Sequence, residues 1–136
     1  MEIEINLPYP RLLSVNNIWK KSRTGVYLNP KVATYRKEIW ALFYGKHRFP
    51  RSIPITIKID MFPPRKNCDI DNILKTVLDA MQFAQVYEND VQIHELYVKK
   101  HQNFKGGKLI VKIADLFEED TVVLQHKNNI NEDVRR

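Results

Sequence analysis

The sequence predicts a single α+β domain, a mixed β-sheet of about four to five strands packed with two main helices. Three observations lead there. Residues 2–7 and 53–61 alternate apolar and polar side chains, the period-two signature of half-buried strands. Residues 70–81 carry apolar side chains at steps of three and four, the period of a helix. The predicted order of strand, helix, strand, helix, strand, strand has no internal repeat or linker and needs only one core.

Each element follows in order from local pattern. In "MEIEINLP", Ile3, Ile5 and Leu7 alternate with Glu2, Glu4 and Asn6, and Pro8 and Pro10 end the strand. The polar, basic stretch "SVNNIWKKSRTGVYLNP" predicts a loop with a short strand at 26–28. Over 31–46 the residues Val32, Tyr35, Ile39, Leu42 and Phe43 recur at helical spacing, and Gly45 stands near the end. "IPITIKIDMF" places Ile53, Ile55, Ile57, Ile59 and Met61 on one face, and Pro63 and Pro64 close it. Ile70, Ile73, Leu74, Val77, Leu78 and Met81 give the clearest helical pattern in the chain. "VQIHELYVKK" predicts a strand whose alternation breaks between Ile93 and Leu96. "FKGGKLIVKIADL" predicts its hairpin partner, with Gly106 and Gly107 supplying the turn. Residues 118–136 show little periodicity and read as a short helix or frayed tail beyond a domain of residues 1–117.

A chain of 136 residues with 43% hydrophobic content can bury a real core. No apolar run approaches the roughly 20 residues that span a bilayer, and the acidic opening lacks the basic region of a signal peptide. The single cysteine, Cys68, excludes an internal disulfide framework and a cysteine-rich zinc site. A soluble intracellular protein is expected. The formal charge of +6 favours a polyanionic partner, because neutralised phosphates release condensed counterions.

Asp69 and Asp71 stand just before the apolar helical run. Asp69 is a favoured N-cap for a helix beginning at Ile70, with Asp71 in the first turn beside the positive end of the dipole. The same residue types serve a hard cation such as Mg²⁺, which takes oxygen ligands and activates water for phosphodiester hydrolysis. Asp90, at the start of the strand after the helix, offers a third carboxylate if that strand packs back beside the helix start. Lys75 lies one turn past Asp71, either as an i,i+4 ion pair or as a cation aimed at a scissile phosphate. Each residue taken singly has a plain structural reading, and capping and metal binding both stay open for the aspartate pair.

The whole set, "DIDNILKTVLDAM…VYENDVQI", resembles the Asp-x-Asp-Asn-x-x-Lys…Asp-Ala…Asp-x-Gln pattern of the RusA family of Holliday junction resolvases. A looser similarity extends over residues 3–114, through "INLPYPRLLSVNNIWK" and "GGKLIVKI". The resemblance implies a RusA-like fold and metal-binding roles for Asp69, Asp71 and Asp90. It implies a catalytic role for Lys75, a DNA-contacting motif asparagine in Asn72 and a supporting role for Asp79. It further implies Mg²⁺, with Mn²⁺ as a substitute, and a homodimer of bacterial or phage origin. Such a dimer would nick four-way DNA junctions in symmetric pairs during recombination and repair. Two positions depart from the family: Cys68 precedes the first aspartate, and Asn89 replaces an acid before Asp90.

Branched DNA has to be held by its backbone. Arg65 and Lys66 are expected to contact phosphate beside the acidic pair, with Lys99, Lys100, Lys20, Lys21 and Arg23 as further basic candidates. Ser14, Asn16 and Asn17 are candidates for phosphate or sugar contacts. Core packing is favoured over base stacking for Trp19 and Tyr27, and His94 and His101 read as structural or surface residues. The rival functions are a less selective flap or branched-DNA nuclease and a non-catalytic basic DNA-binding protein.

Overall fold

The computed structural model describes residues 1–10 and 18–116. Ser14, Asn16, Asn17 and the tail at 118–136 lie outside the described residues. The elements are β1 (Glu2–Leu7), β2 (Trp19–Ser22), β3 (Gly25–Leu28), α1 (Pro30–Phe43), β4 (Ile55–Phe62), α2 (Leu74–Phe83), a single 3₁₀ turn at Asp90–Gln92, β5 (Ile93–Lys100) and β6 (Lys108–Asp115).

Four strands form a mixed sheet in the order β1-β6-β4-β5, and β2 pairs with β3 as a separate ribbon. β6 is antiparallel to both its neighbours, whereas β4 and β5 run parallel. Register lines up apolar rows across the sheet: Ile3, Ile113 and Ile57; Ile5, Val111 and Ile59; Leu7, Leu109 and Met61. These rows meet Val32, Tyr35, Ile39 and Phe43 from α1 and Val77, Ala80 and Met81 from α2 in one buried cluster. Cross-strand contact at each row is what makes the alternating sequence stable as a sheet. Asn29 caps α1 by accepting from the Lys31 N–H, and Pro30 takes the first helical position, where its missing donor costs nothing.

The expected hairpin of β5 with β6 does not form, because β4 lies between them. Leu109, Val111 and Ile113 are fully buried, so β6 belongs in the sheet interior, while the more exposed β5 takes the edge. The connection at 101–107 is long enough to step over one strand, since neighbouring strands are about 4.8 Å apart. The break in alternation after Ile93 is a bulge: Ile55 faces Ile93, but Thr56 faces Glu95, and His94 is skipped.

The helix expected over residues 70–81 starts later, at Leu74. Residues 69–73 instead make successive turns, with Asn72 N–H donating to the Asp69 carbonyl at 3.4 Å and Leu74 N–H to that of Asp71 at 3.3 Å. Asp and Asn favour such turns over helix interior. Ile70 is 43% exposed and so has no core contact pulling it into the helix. The residue at the N-cap is Ile73, with no side-chain cap.

The stretch expected as loop contains β2 as well as β3. Trp19 and Tyr27, expected in the core, are 61% and 45% exposed. Among the described residues no layer packs on this two-stranded ribbon, so it has no interior in which to bury them.

Candidate active site

The chain leaves β4 through Pro63 and Pro64, which exclude helix from the residues before them. It then turns at 69–73 into α2. Asp69 and Asp71 are both exposed there, and among the described residues no hydrogen bond or ion pair engages either carboxylate. The capping role is therefore unfilled: the pair sits four and two residues ahead of Ile73. Asn72 is half-buried within the same turn.

Lys75 occupies the first turn of α2. Its Nζ lies 3.4 Å from Asp79 Oδ2, one turn further on, and not beside Asp71. Asp71 precedes the helix, so the i,i+4 geometry begins only with Leu74. The Lys75 side chain is 65% exposed, and the pair is worth a few tenths of a kcal/mol, on the order of 0.5.

Asp90 opens the 3₁₀ turn ahead of β5. Asn89 accepts from the Val91 N–H at 2.9 Å, and Gln92 Oε1 accepts from the N–H groups of Glu88 and Asn89 at 2.8 and 3.1 Å. The Gln92 amide donates to the carbonyls of Pro50 and Ile53 at 2.7 and 3.1 Å. Tyr87 donates to the Leu78 carbonyl at 2.5 Å. Burial pushes the Tyr87 hydroxyl pKa up, and the nearby Asp79 and Asp90 carboxylates push it further. These contacts set Asp90 against the flank of α2 near Leu78 and Asp79.

Because β4 and β5 are parallel, with Ile55 level with Ile93, the start of β5 lies level with the start of β4. The acidic turn follows the other end of β4, and α2 spans the interval. Among the described residues no three His, Cys, Asp or Glu side chains lie close enough together to hold a metal ion. Asp69 and Asp71 share one turn, while Asp79 and Asp90 both act on the Tyr87 hydroxyl. By donor chemistry the three aspartates suit Mg²⁺: hard carboxylate oxygens, all on exposed residues.

Of the basic candidates, Arg65 and Lys66 lie exposed in the segment leading into the acidic turn, and Lys99 and Lys100 are exposed at the end of β5. Lys100 Nζ is already committed, donating to the Lys66 carbonyl at 3.0 Å. Lys20 and Lys21 lie on β2 and Arg23 in its turn, with Lys20 opposite Tyr27 in register. His94 is exposed, and His101 pairs with Asp60 at 2.6 Å. Sequence reasoning assigned no role to Gln92, although Asn89 three residues before it spells a capping box, which the structure forms. Nothing local in the sequence marks the Asp60–His101 pair, because its partners are 41 residues apart.

Residues 8–114 match the family described as Endodeoxyribonuclease RusA. A crossover junction endodeoxyribonuclease of Enterobacteria phage HK97 is 30% identical over 122 residues, covering 85% of this chain and 96% of that protein. The proteins of the same name from Enterobacteria phage 82 and Escherichia coli (strain K12) are 27% and 26% identical over 117 residues, with the same coverage. The family match and these relatives make this α+β domain an endodeoxyribonuclease. Within that class the chain belongs to the RusA family.

Proposed function

We propose that this protein is a Mg²⁺-dependent, structure-selective endodeoxyribonuclease that resolves four-way DNA junctions by paired, symmetric nicks. One observation carries the reading. Asp69 and Asp71 stand exposed in a turn at the carboxyl end of β4, and the helix that follows does not use them as caps. The relatives named above as crossover junction endonucleases supply the substrate class.

Asp69 and Asp71, joined by Asp90, would hold the metal, with Mn²⁺ as a substitute. A divalent ion there supplies charge for the anionic phosphoryl group and acidity for the attacking water. Lys75, exchanging Asp79 for phosphate, places a cation where charge develops on the leaving oxygen. Arg65, Lys66 and Lys99 hold the flanking backbone, with Asn72, Asn16 and Asn17 as polar DNA contacts. Lys20, Lys21 and Arg23 extend that basic surface onto the β2–β3 ribbon, and Trp19 and Tyr27 present faces on which unpaired bases can stack. A homodimer suits the substrate, since a two-fold protein presents equivalent sites to two strands of a pseudo-symmetric junction.

The test is a labelled synthetic four-way junction incubated with Mg²⁺ or with EDTA, beside flap and linear duplex controls. Paired nicks in the junction arms with Mg²⁺, and none with EDTA, are expected. Cleavage that ignores EDTA would remove the metal; equal cleavage of flaps would remove the junction preference.

A further inference from the structure

The eleven residues between β4 and α2, positions 63–73, carry the acidic turn but belong to no sheet or helix. Their internal support is slight, two turn hydrogen bonds of 3.3 and 3.4 Å. Ile73 at its end is buried in the core, and the hydrogen bonds that reach the rest of the segment come from the β5–β6 connection and the residues flanking it. Phe104 N–H donates to the Pro63 carbonyl at 2.9 Å, and Lys100 Nζ donates to that of Lys66 at 3.0 Å. Gly107 stands so close that an added Cβ would lie 2.7 Å from Tyr9 Cβ and 3.0 Å from Pro64 Cδ, and its φ of +72° itself favours glycine. Burial, and after it the neighbouring Cys68 side chain, push the Tyr9 hydroxyl pKa up, which sets Tyr9 close to the residue before Asp69.

The connection is itself latched to the sheet. His101 N–H donates to the Met61 carbonyl at 2.8 Å, His101 Nε2 and Asp60 Oδ1 are 2.6 Å apart, and the His101 ring stacks on Phe62 at 4.5 Å. Lys108 Nζ sits over the Phe62 and Phe104 rings at 4.8 and 4.5 Å, tying the start of β6 to the middle of the loop and to the end of β4. None of the residues at 101–107 lies within the acidic turn.

We propose that the β5–β6 connection is the brace that positions the acidic turn, with the Asp60–His101 pair as its latch. His101 and Gly107 are then positioning residues for Asp69 and Asp71, which they do not themselves replace. The inference rests on the reading of those aspartates as the catalytic pair, but the brace itself is mechanical and is measurable without metal or DNA.

Amide hydrogen exchange on the metal-free full chain reads it directly. His101→Ala should speed exchange across 63–73 about tenfold or more while leaving β1, β4 and β6 protected, the signature of local opening. His101→Gln, which keeps a donor for Asp60, should restore protection to near the original level. In the same variants, His101→Ala should slow single-turnover junction cleavage by about 10²-fold, as small displacements of catalytic groups do. Metal-free junction affinity should stay within about twofold, since the phosphate-contacting charges that dominate affinity are kept. Gly107→Ala should repeat the pattern from the other side of the segment. Unchanged exchange at 63–73, uniform loss of protection in all strands, or a glutamine variant no better than alanine would overturn the brace. Absence of Mg²⁺-dependent cleavage by the unaltered protein would overturn the catalytic reading alone, leaving the exchange result standing.

Discussion

The hydroxyl of Tyr87 donates to the main-chain carbonyl of Leu78 at 2.5 Å, and this bond anchors the turn carrying Asp90 to the flank of α2. Through it the turn of Asp90 is tied to the helix that follows Asp69 and Asp71. Asp69 and Asp71 lie ahead of α2, Asp90 lies beside it, and the helix is the rigid body between them.

Asp71→Asn removes a charge without changing shape. Junction cleavage should fall below detection while junction binding is kept or tightened, because less negative charge faces the DNA backbone. Cleavage assayed on labelled junction, with affinity from gel shift in EDTA, decides it; Mg²⁺-dependent product from the variant would strike Asp71 from the ligand set.

Lys75→Ala should slow the chemical step far more than it weakens binding. An interaction made only as charge develops lowers kcat and kcat/KM together. Equal losses in cleavage and in junction affinity would make Lys75 a docking residue. Stability should barely move, since its partner Asp79 offers only an exposed surface pair.

Gln92→Leu leaves the N–H groups of Glu88 and Asn89 and the carbonyls of Pro50 and Ile53 without their partner. Unmade buried hydrogen bonds of this kind cost about 2–3 kcal/mol in total here. Urea denaturation should show that loss, and cleavage should fall with it, because the same bonds hold the turn of Asp90. A variant of full stability would mean that water replaces the amide.

Trp19→Ala should leave urea stability unchanged, because the side chain is 61% exposed on a ribbon outside the core. Junction affinity should drop by about 1–3 kcal/mol if its ring stacks on an unpaired base. Affinity for linear duplex, where bases stay paired, should change little. Identical losses on both DNAs would reduce Trp19 to a general contact.

Burial raises the hydroxyl pKa of Tyr35, of Tyr87 and of Tyr9 above the ordinary 10.0. The unfolded chain therefore loses these protons first. Their contribution to stability is complete below pH 10.0 and declines as pH rises above it. Each tyrosine contributes a slope of up to about 1.4 kcal/mol per pH unit. Thermal unfolding followed from pH 8 to pH 11.5 should show that decline, and Tyr35→Phe should make it shallower. A flat profile would mean that the hydroxyls ionise freely in the fold.

Much of the fold was legible because its patterns are local. Ile3, Ile5 and Leu7 declare a strand face within six residues, and Ile73, Val77 and Met81 declare a helix face within nine. The break in alternation after Ile93 falls where the structure places a bulge. What misled was also local. Gly106 and Gly107 look like a hairpin turn, but the neighbour of β6 is chosen by the burial of Leu109, Val111 and Ile113 against β4, a contact no local pattern encodes. Asp69 looks like a cap, but Ile70 finds no core surface and the helix waits for Leu74.

The sequence by itself determined the class of fold, the residues able to bind a hard cation and the likeness to a nuclease family. Those are properties of residue type, period and spacing, which depend on neighbours in the chain. Tertiary structure alone decided that Asp69 and Asp71 stand free of the helix they precede and that Lys75 rests on Asp79. It also decided that the turn carrying Asp90 is tied through Tyr87 to α2 and that the acidic turn leans on a connection some 30 to 40 residues away. The reason is physical: a side chain's partners are set by strand order and by which surfaces remain to be buried, and both are settled only when the sheet and helices pack.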